Sequence, residues 1–270
     1  MAMPSALDVQ LTFQPQDPHG IWRALCLDFK AAHKRIRVHA REQGTLLFRV
    51  AGKLYYYTVC HFGARFSSYW WQRAAGLITR TLHALLAGNA HKAWIYVDDL
   101  LMILLNHRLH EDACLVVLLL ASINAPMSWK KAQLADTVTW CGWTFDLRLQ
   151  QVWLASVKLE KLRLQLHDLL QHPKCQRKSL ESTLGLLMWA TTLCPFLRPL
   201  LSTLYRDLHS GRGTLKSIPA RLWHQFLHAL DDAAKIVGCP PGLWLARGAR
   251  ITAVGPRHVI PCCSSWFLHR

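Results

Sequence analysis

Acidic residues are scarce in this chain. Asp and Glu number 16 against 32 Lys and Arg, which gives a formal net charge of +16 over 270 residues and an isoelectric point near 9.8. No Asp or Glu follows Asp232. That balance suits a polyanionic partner, nucleic acid before an anionic membrane surface. Long apolar runs are missing as well. The longest, Ala113 to Ile123, is about half of what a membrane-spanning helix requires, so it reads as a buried helix and no membrane role is expected. The N-terminus has neither a basic flank nor an apolar core, so no secretory signal is expected. Nine cysteines are present, an odd number with no Cys-x-x-Cys spacing. They read as reduced thiols of an intracellular protein of the cytoplasm or nucleus, not as a disulfide framework or a zinc site.

What is there supports a folded chain. Hydrophobic residues make up 51%, enough for a sizeable core and too many for global disorder. The chain centres on Ala93 to Leu105, Ala-Trp-Ile-Tyr-Val-Asp-Asp-Leu-Leu-Met-Ile-Leu-Leu. Each apolar run has the length and composition of a buried strand, and neither is broken by Gly or Pro. Asp98 and Asp99 between them fit a tight turn, from which both can project at one end of the hairpin. Two carboxylates that close repel each other unless a cation intervenes. The plainer reading is a solvated hairpin tip, and Asp231-Asp232 in an amphipathic stretch shows that the dipeptide alone decides nothing.

Residues 1–20 carry Pro4, Pro15, Pro18 and Gly20 without a persuasive period and read as a linker or a truncated edge. Ile21 to Leu27 is a short strand ending at Asp28, which is either a helix cap or an acid facing a cleft. A basic stretch follows from Phe29 to Val38. Thr45–Val50 and Leu54–Cys60 read as strands joined by Ala51-Gly52-Lys53. A helix runs from Ser67 to about Leu86 and another from Glu111 to about Ile123. Thr137 to Leu147 is a pair of β segments bent at Gly142. From Val157 the period changes from two to 3.6, with Leu159, Leu162, Leu166, Leu169 and Leu170 on one stripe. Ser179 is a candidate cap for a helix over 180–193. Further helices are expected over 196–209 and 221–237, with a short β candidate over 250–254.

Three acids in the order strand-Asp, long insertion, hairpin-Asp-Asp are what two-metal phosphoryl transfer requires. At these residues the sequence resembles the reverse transcriptase family, over roughly Ile21 to Leu147. Leu27-Asp28-Phe29-Lys30-Ala31-Ala32-His33 with Ile36-Arg37-Val38-His39 is similar to the family's first catalytic motif. Phe62-Gly63-Ala64 resembles the motif beneath template and incoming nucleotide, and Tyr96-Val97-Asp98-Asp99 the Tyr-x-Asp-Asp signature. Lys131 falls at the family's loop lysine, and Trp140-Cys141-Gly142-Trp143 resembles the primer-grip turn.

The resemblance implies an α+β fold: a polymerase palm, an antiparallel sheet with packed helices, over 21–150. A helical thumb or connection is implied over 151–212, with a helical and irregular extension over 213–270. It implies an RNA-directed DNA polymerase of retrotransposon type that extends a primer on an RNA or DNA template with deoxynucleoside triphosphates and Mg²⁺ or Mn²⁺. Asp28, Asp98 and Asp99 would hold the metals. Phe29, His33, Phe62, Gly63 and Lys131 would meet the nucleotide, and Tyr96, Trp140, Cys141, Gly142 and Trp143 the primer and template. His33 stands where the family has Tyr or Phe against the sugar 2′-hydroxyl. Only about 20 residues precede the first motif, so truncated fingers and weak or no activity are expected of this chain alone. The alternative is a nucleic-acid-binding relic that catalyses nothing. The pattern sets no oligomeric state.

Overall fold

The computed structural model describes residues 3–12, 21–172, 176–192, 198–199 and 201–209. In chain order they form α1 (Ala6–Gln10), β1 (Trp22–Asp28), β2 (Leu47–Val50), β3 (Lys53–Tyr56), α2 (Arg65–Leu85), β4 (His91–Tyr96) and β5 (Asp99–Leu105). These are followed by α3 (Leu109–Ser122), β6 (Gln133–Ala135), β7 (Thr137–Trp140), β8 (Trp143–Asp146) and β9 (Gln151–Leu154). Three helices end the described chain: α4 (Ser156–Gln171), α5 (Arg177–Ala190) and α6 (Ser202–His209). The fold is α+β, as expected. The helix expected over 221–237 and the β segment over 250–254 lie outside the described residues, as do 193–197 at the expected start of α6. No described helix is long and apolar enough to cross a membrane.

Two compact units divide the chain, one of residues 3–4 and 21–141, the other of 5–12 and the described residues from 142 on. The first is built on an antiparallel sheet in the order β4-β5-β1-β6. β5 lies inside it, and Leu100 to Leu104 are all buried, which explains an unbroken apolar run in place of alternation. Side chains on a strand point to alternate faces. Leu25, Leu27, Leu100, Met102 and Leu104 face a core shared with Trp71, Leu82, Val116 and Leu120 of α2 and α3. The opposite face carries Ala24, Cys26, Leu101 and Ile103 and ends in Asp28 and Asp99.

β2 and β3 form a separate two-stranded ribbon whose loop is Ala51–Gly52, with φ of 49° and 78°. Positive φ at both loop residues is the type I′ pattern, and Lys53 belongs to the strand. β3 stops at Tyr56, short of the expected Cys60, because the chain then changes partner. Val38 N donates to Thr58 O at 2.9 Å and Cys60 N to Ile36 O at 2.8 Å. Thr45 sits in a 3-10 turn over Ala40–Leu46 and not in a strand.

In the second unit, β8 and β9 pair antiparallel, with Trp143 opposite Leu154. The stripe predicted for α4 is buried at Leu159, Leu162, Leu166 and Leu169. Against it α5 sets Leu180, Leu184 and Leu187. Ser179 does not cap α5. It is the third helical residue, its carbonyl accepts from Thr183 Oγ1 at 3.1 Å, and Gln176 stands at the cap. α1, unread in the sequence, is started by a capping box in which Ser5 N donates to Asp8 Oδ2 at 2.6 Å. Gly142 is required twice over: its φ is 80°, and a Cβ there would lie 2.8 Å from the Trp189 ring.

Candidate functional site

β1 and β5 are hydrogen-bonded neighbours in a register that sets Asp28 opposite Asp99. Directly opposed residues of an antiparallel ladder have Cα atoms about 4.5–5.5 Å apart, so the two backbones bring the carboxylates together with no further folding. The hairpin loop is Val97 and Asp98, which places Asp99 in the strand and Asp98 in the turn. The residue in direct reach of Asp28 is therefore Asp99, and Asp98 acts from beside the pair. Phe29 N donates to Asp98 O at 2.7 Å and Ser128 N to Asp28 O at 2.8 Å, tying both acids to neighbouring backbone.

Burial pushes the Asp99 carboxyl up to about 6, and the charges of Asp98 and Asp28 add to the shift. The charge of Lys131, whose Nζ lies 3.0 Å from Asp28 Oδ1, only partly offsets the rise. The hydrogen bond to Asp28, then its charge, pushes the Lys131 ammonium up. Asp28, Asp99 and Lys131 line a cavity of about 400 Å³ that also includes Lys130, Trp140 and Cys141. Among the described residues no three His, Cys, Asp or Glu side chains are already closed around an ion-sized space. Hard oxygen donors and an excess of negative charge nonetheless fit a divalent cation.

Phe29 is buried with its ring edge-on to Trp71 at 5.4 Å, so its ring belongs to the core. His33 is 7% exposed and packs between Phe62 at 5.2 Å and Trp71 at 6.3 Å. Phe62 and Gly63 are exposed just before α2, and Gly63 has a φ of 92°. Tyr96 is exposed opposite Asp99, edge-on to Trp140 at 6.3 Å. Trp140 and Trp143 are 3% and 2% exposed, so neither indole offers a face to a strand end. Trp140 Nε1 instead donates to Asp99 O at 3.1 Å. Cys141 and Gly142 both have positive φ, 50° and 80°.

Two contributors escaped the sequence reading. Trp71 Nε1 donates to Val97 O, which fixes the turn beside the acids. Its only signal was an aromatic helix behind Phe62-Gly63. Cys26 shares the face of Asp28 two residues earlier, a position that strand parity alone predicts. Burial pushes its thiol up to about 12, with the Asp99 charge adding. Burial and the same carboxylates raise Cys141 as well. Both thiols are held as weaker acids than usual by their burial beside the carboxylates. Among the described residues Cys26, Cys60, Cys114 and Cys141 are all free.

No protein-family model matches the chain, and no curated protein matches it. Solved structures do. A foamy viral protease-reverse transcriptase (dRH) in complex with double-stranded DNA superposes with a TM-score of 0.64 at 18% identity, over 86% of this chain and 38% of that one. A foamy viral protease-reverse transcriptase with an RNA/DNA hybrid gives 0.58 at 17%, over 84% and 31%. Another with double-stranded DNA gives 0.58 at 20%, over 86% and 46%. The fold is reverse-transcriptase-like. This chain thus spans less than half of each of those proteins, and the likeness is one of architecture.

Proposed function

We propose that the chain is the palm and thumb of a retroelement reverse transcriptase, which extends a primer on an RNA or DNA template using deoxynucleoside triphosphates. The observation that carries this reading is the Asp28–Asp99 pairing across β1 and β5, with Asp98 in the adjoining turn. In such a transfer the primer 3′-hydroxyl attacks the α-phosphorus and pyrophosphate leaves. Bound Mg²⁺ or Mn²⁺ would supply activation of the attacking oxygen and charge neutralisation on the leaving one.

The protein's part is to hold charge in place. Asp28, Asp98 and Asp99 present carboxylate oxygens at one end of the hairpin, and the buried sheet beneath them keeps their backbones from moving apart. Lys131, once released from Asp28, lies close enough to the same cavity to meet a phosphate. His33, wedged between Phe62 and Trp71, presents a rigid wall toward the nucleotide side. The role is intracellular, in the cytoplasm or nucleus where such templates reside.

The second reading, a nucleic-acid-binding relic, is favoured by the Lys131–Asp28 pair, which neutralises one acid without any metal. Primer extension on a poly-ribonucleotide template with Mg²⁺ or Mn²⁺ separates the two. Weak extension by the wild type and none by Asp98→Asn is the expected result. If neither protein extends while both bind template, the polymerase reading fails and the relic stands.

A further inference from the structure

With Trp140 and Trp143 buried, open aromatic faces must be sought elsewhere, and among the described residues one set, Tyr55, Tyr56 and Phe62, lies between β1 and α2. Residues 30–64 carry seven Lys and Arg, all exposed, against the single acid Glu42. Within this insertion, and among the described residues, the β2–β3 ribbon pairs with no third strand and is exposed on both faces. Two-stranded ribbons are marginal in water by themselves. This one is stiffened by a continuous stack of rings on one face. Tyr55 lies 5.7 Å from Phe48, Phe48 4.7 Å from Tyr57, and Tyr57 4.1 Å from His61, at interplanar angles of 24°, 30° and 21°. Tyr55 ends the stack and is 45% exposed. Lys53 shares its face by strand alternation.

We propose that this ribbon is a docking surface for unpaired nucleic acid. One base continues the ring stack on Tyr55, and flanking phosphates are neutralised by Lys53 and the other exposed cations of the insertion. A base offers a π-face to any aromatic ring whatever its sequence, and a basic strip holds the backbone beside it. Duplex bases are already stacked and cannot use the site. Leu47 and Leu54 on the opposite face would suit a protein partner, but the excess of cations favours a polyanion. The surface does not depend on the carboxylate site, and a chain that catalyses nothing would use it equally.

The test is fluorescence anisotropy of the full chain with a labelled oligodeoxythymidylate and with a duplex of equal length, titrated over salt. Tyr55→Val should weaken single-strand binding on the order of 5- to 150-fold, leaving duplex affinity and the salt slope unchanged. Tyr55→Phe, which keeps the ring, should bind as the wild type does. Lys53→Gln should flatten the log–log salt slope by about 0.7. Equal losses on single strand and duplex would overturn the proposal. If Tyr55→Val fails to fold, the other two variants carry the test, and a loss with Tyr55→Phe or an unchanged slope with Lys53→Gln overturns it. Loss of concentration-dependent self-association in Tyr55→Val, with oligothymidylate binding intact, would make the ribbon a protein interface and also overturn it.

Discussion

The hairpins β2–β3 and β4–β5 each close on a two-residue loop, Ala51–Gly52 in one and Val97–Asp98 in the other. In the first, Gly takes one of the two positive-φ positions and the strands beyond it are open to solvent. In the second, Val97 sits at a φ of 52° although its branched side chain disfavours that region. Such a placement costs about 1–2 kcal/mol. It is held by bonds from Trp71 Nε1 to Val97 O and from Phe29 N to Asp98 O, over a strand buried on both faces. The buried hairpin tolerates strain because its surroundings over-determine it, and the strain lies beside the acids that need fixed positions. The open ribbon also holds a non-glycine residue at positive φ, Ala51 at 49°, but its side chain is unbranched and glycine takes the second position.

The largest contrast between the two hairpins is expected in stability. Leu104→Ala in β5 empties a fully buried site and should destabilise by about 2–5 kcal/mol in urea titration. Leu54→Ala in β3, where the side chain is 62% exposed, should stay within about 0.5 kcal/mol. Equal losses would mean that the ribbon is not free.

Exchanging the loop chemistry gives a smaller effect. Gly52→Val places a branched side chain at a φ of 78° and should cost about 1–2 kcal/mol. Val97→Gly relieves strain and adds unfolded-state entropy, so the net change should remain under about 1 kcal/mol. Thermal melts of both variants decide it, and a large loss for Val97→Gly alone would contradict the strain assignment.

A pH dependence at the acids adds an electrostatic contrast that the open ribbon lacks. The Asp99 carboxyl is raised from 3.8 to about 6, so between those values the folded chain binds more protons than the unfolded one. Its contribution to stability is therefore highest below about pH 4 and is lost as pH rises through 6. In chelator, Asp99→Asn should gain stability relative to the wild type on moving from pH 4 to 7. A variant whose difference from the wild type is flat over that range would remove the assignment.

How much of this could be read from sequence differs between the two hairpins. The apolar runs around Asp98-Asp99 and the Ala51-Gly52 signal announced both. Asp28 alone was ambiguous between cap and cleft, and only the β1–β5 register resolves it. Periodicity passed over β6 and β9 because three or four residues do not establish an alternation. The Ser5–Asp8 capping box was written in the sequence, but five helical residues among prolines gave no period to attach it to. Trp140 and Trp143 entered through the resemblance to the primer-grip turn, and a sequence pattern does not say which way an indole faces.

The most direct test of the carboxylate assembly is Mn²⁺ binding to the full chain at neutral pH, followed by electron paramagnetic resonance. It needs neither template nor turnover. The wild type should bind Mn²⁺, and Asp28→Asn and Asp99→Asn should each weaken binding tenfold or more, about 1.4 kcal/mol. Asp231→Asn, in the chain's other Asp-Asp pair, should leave it unchanged. No binding by the wild type, or equal binding by all four proteins, would contradict a cation site at the end of β1 and β5.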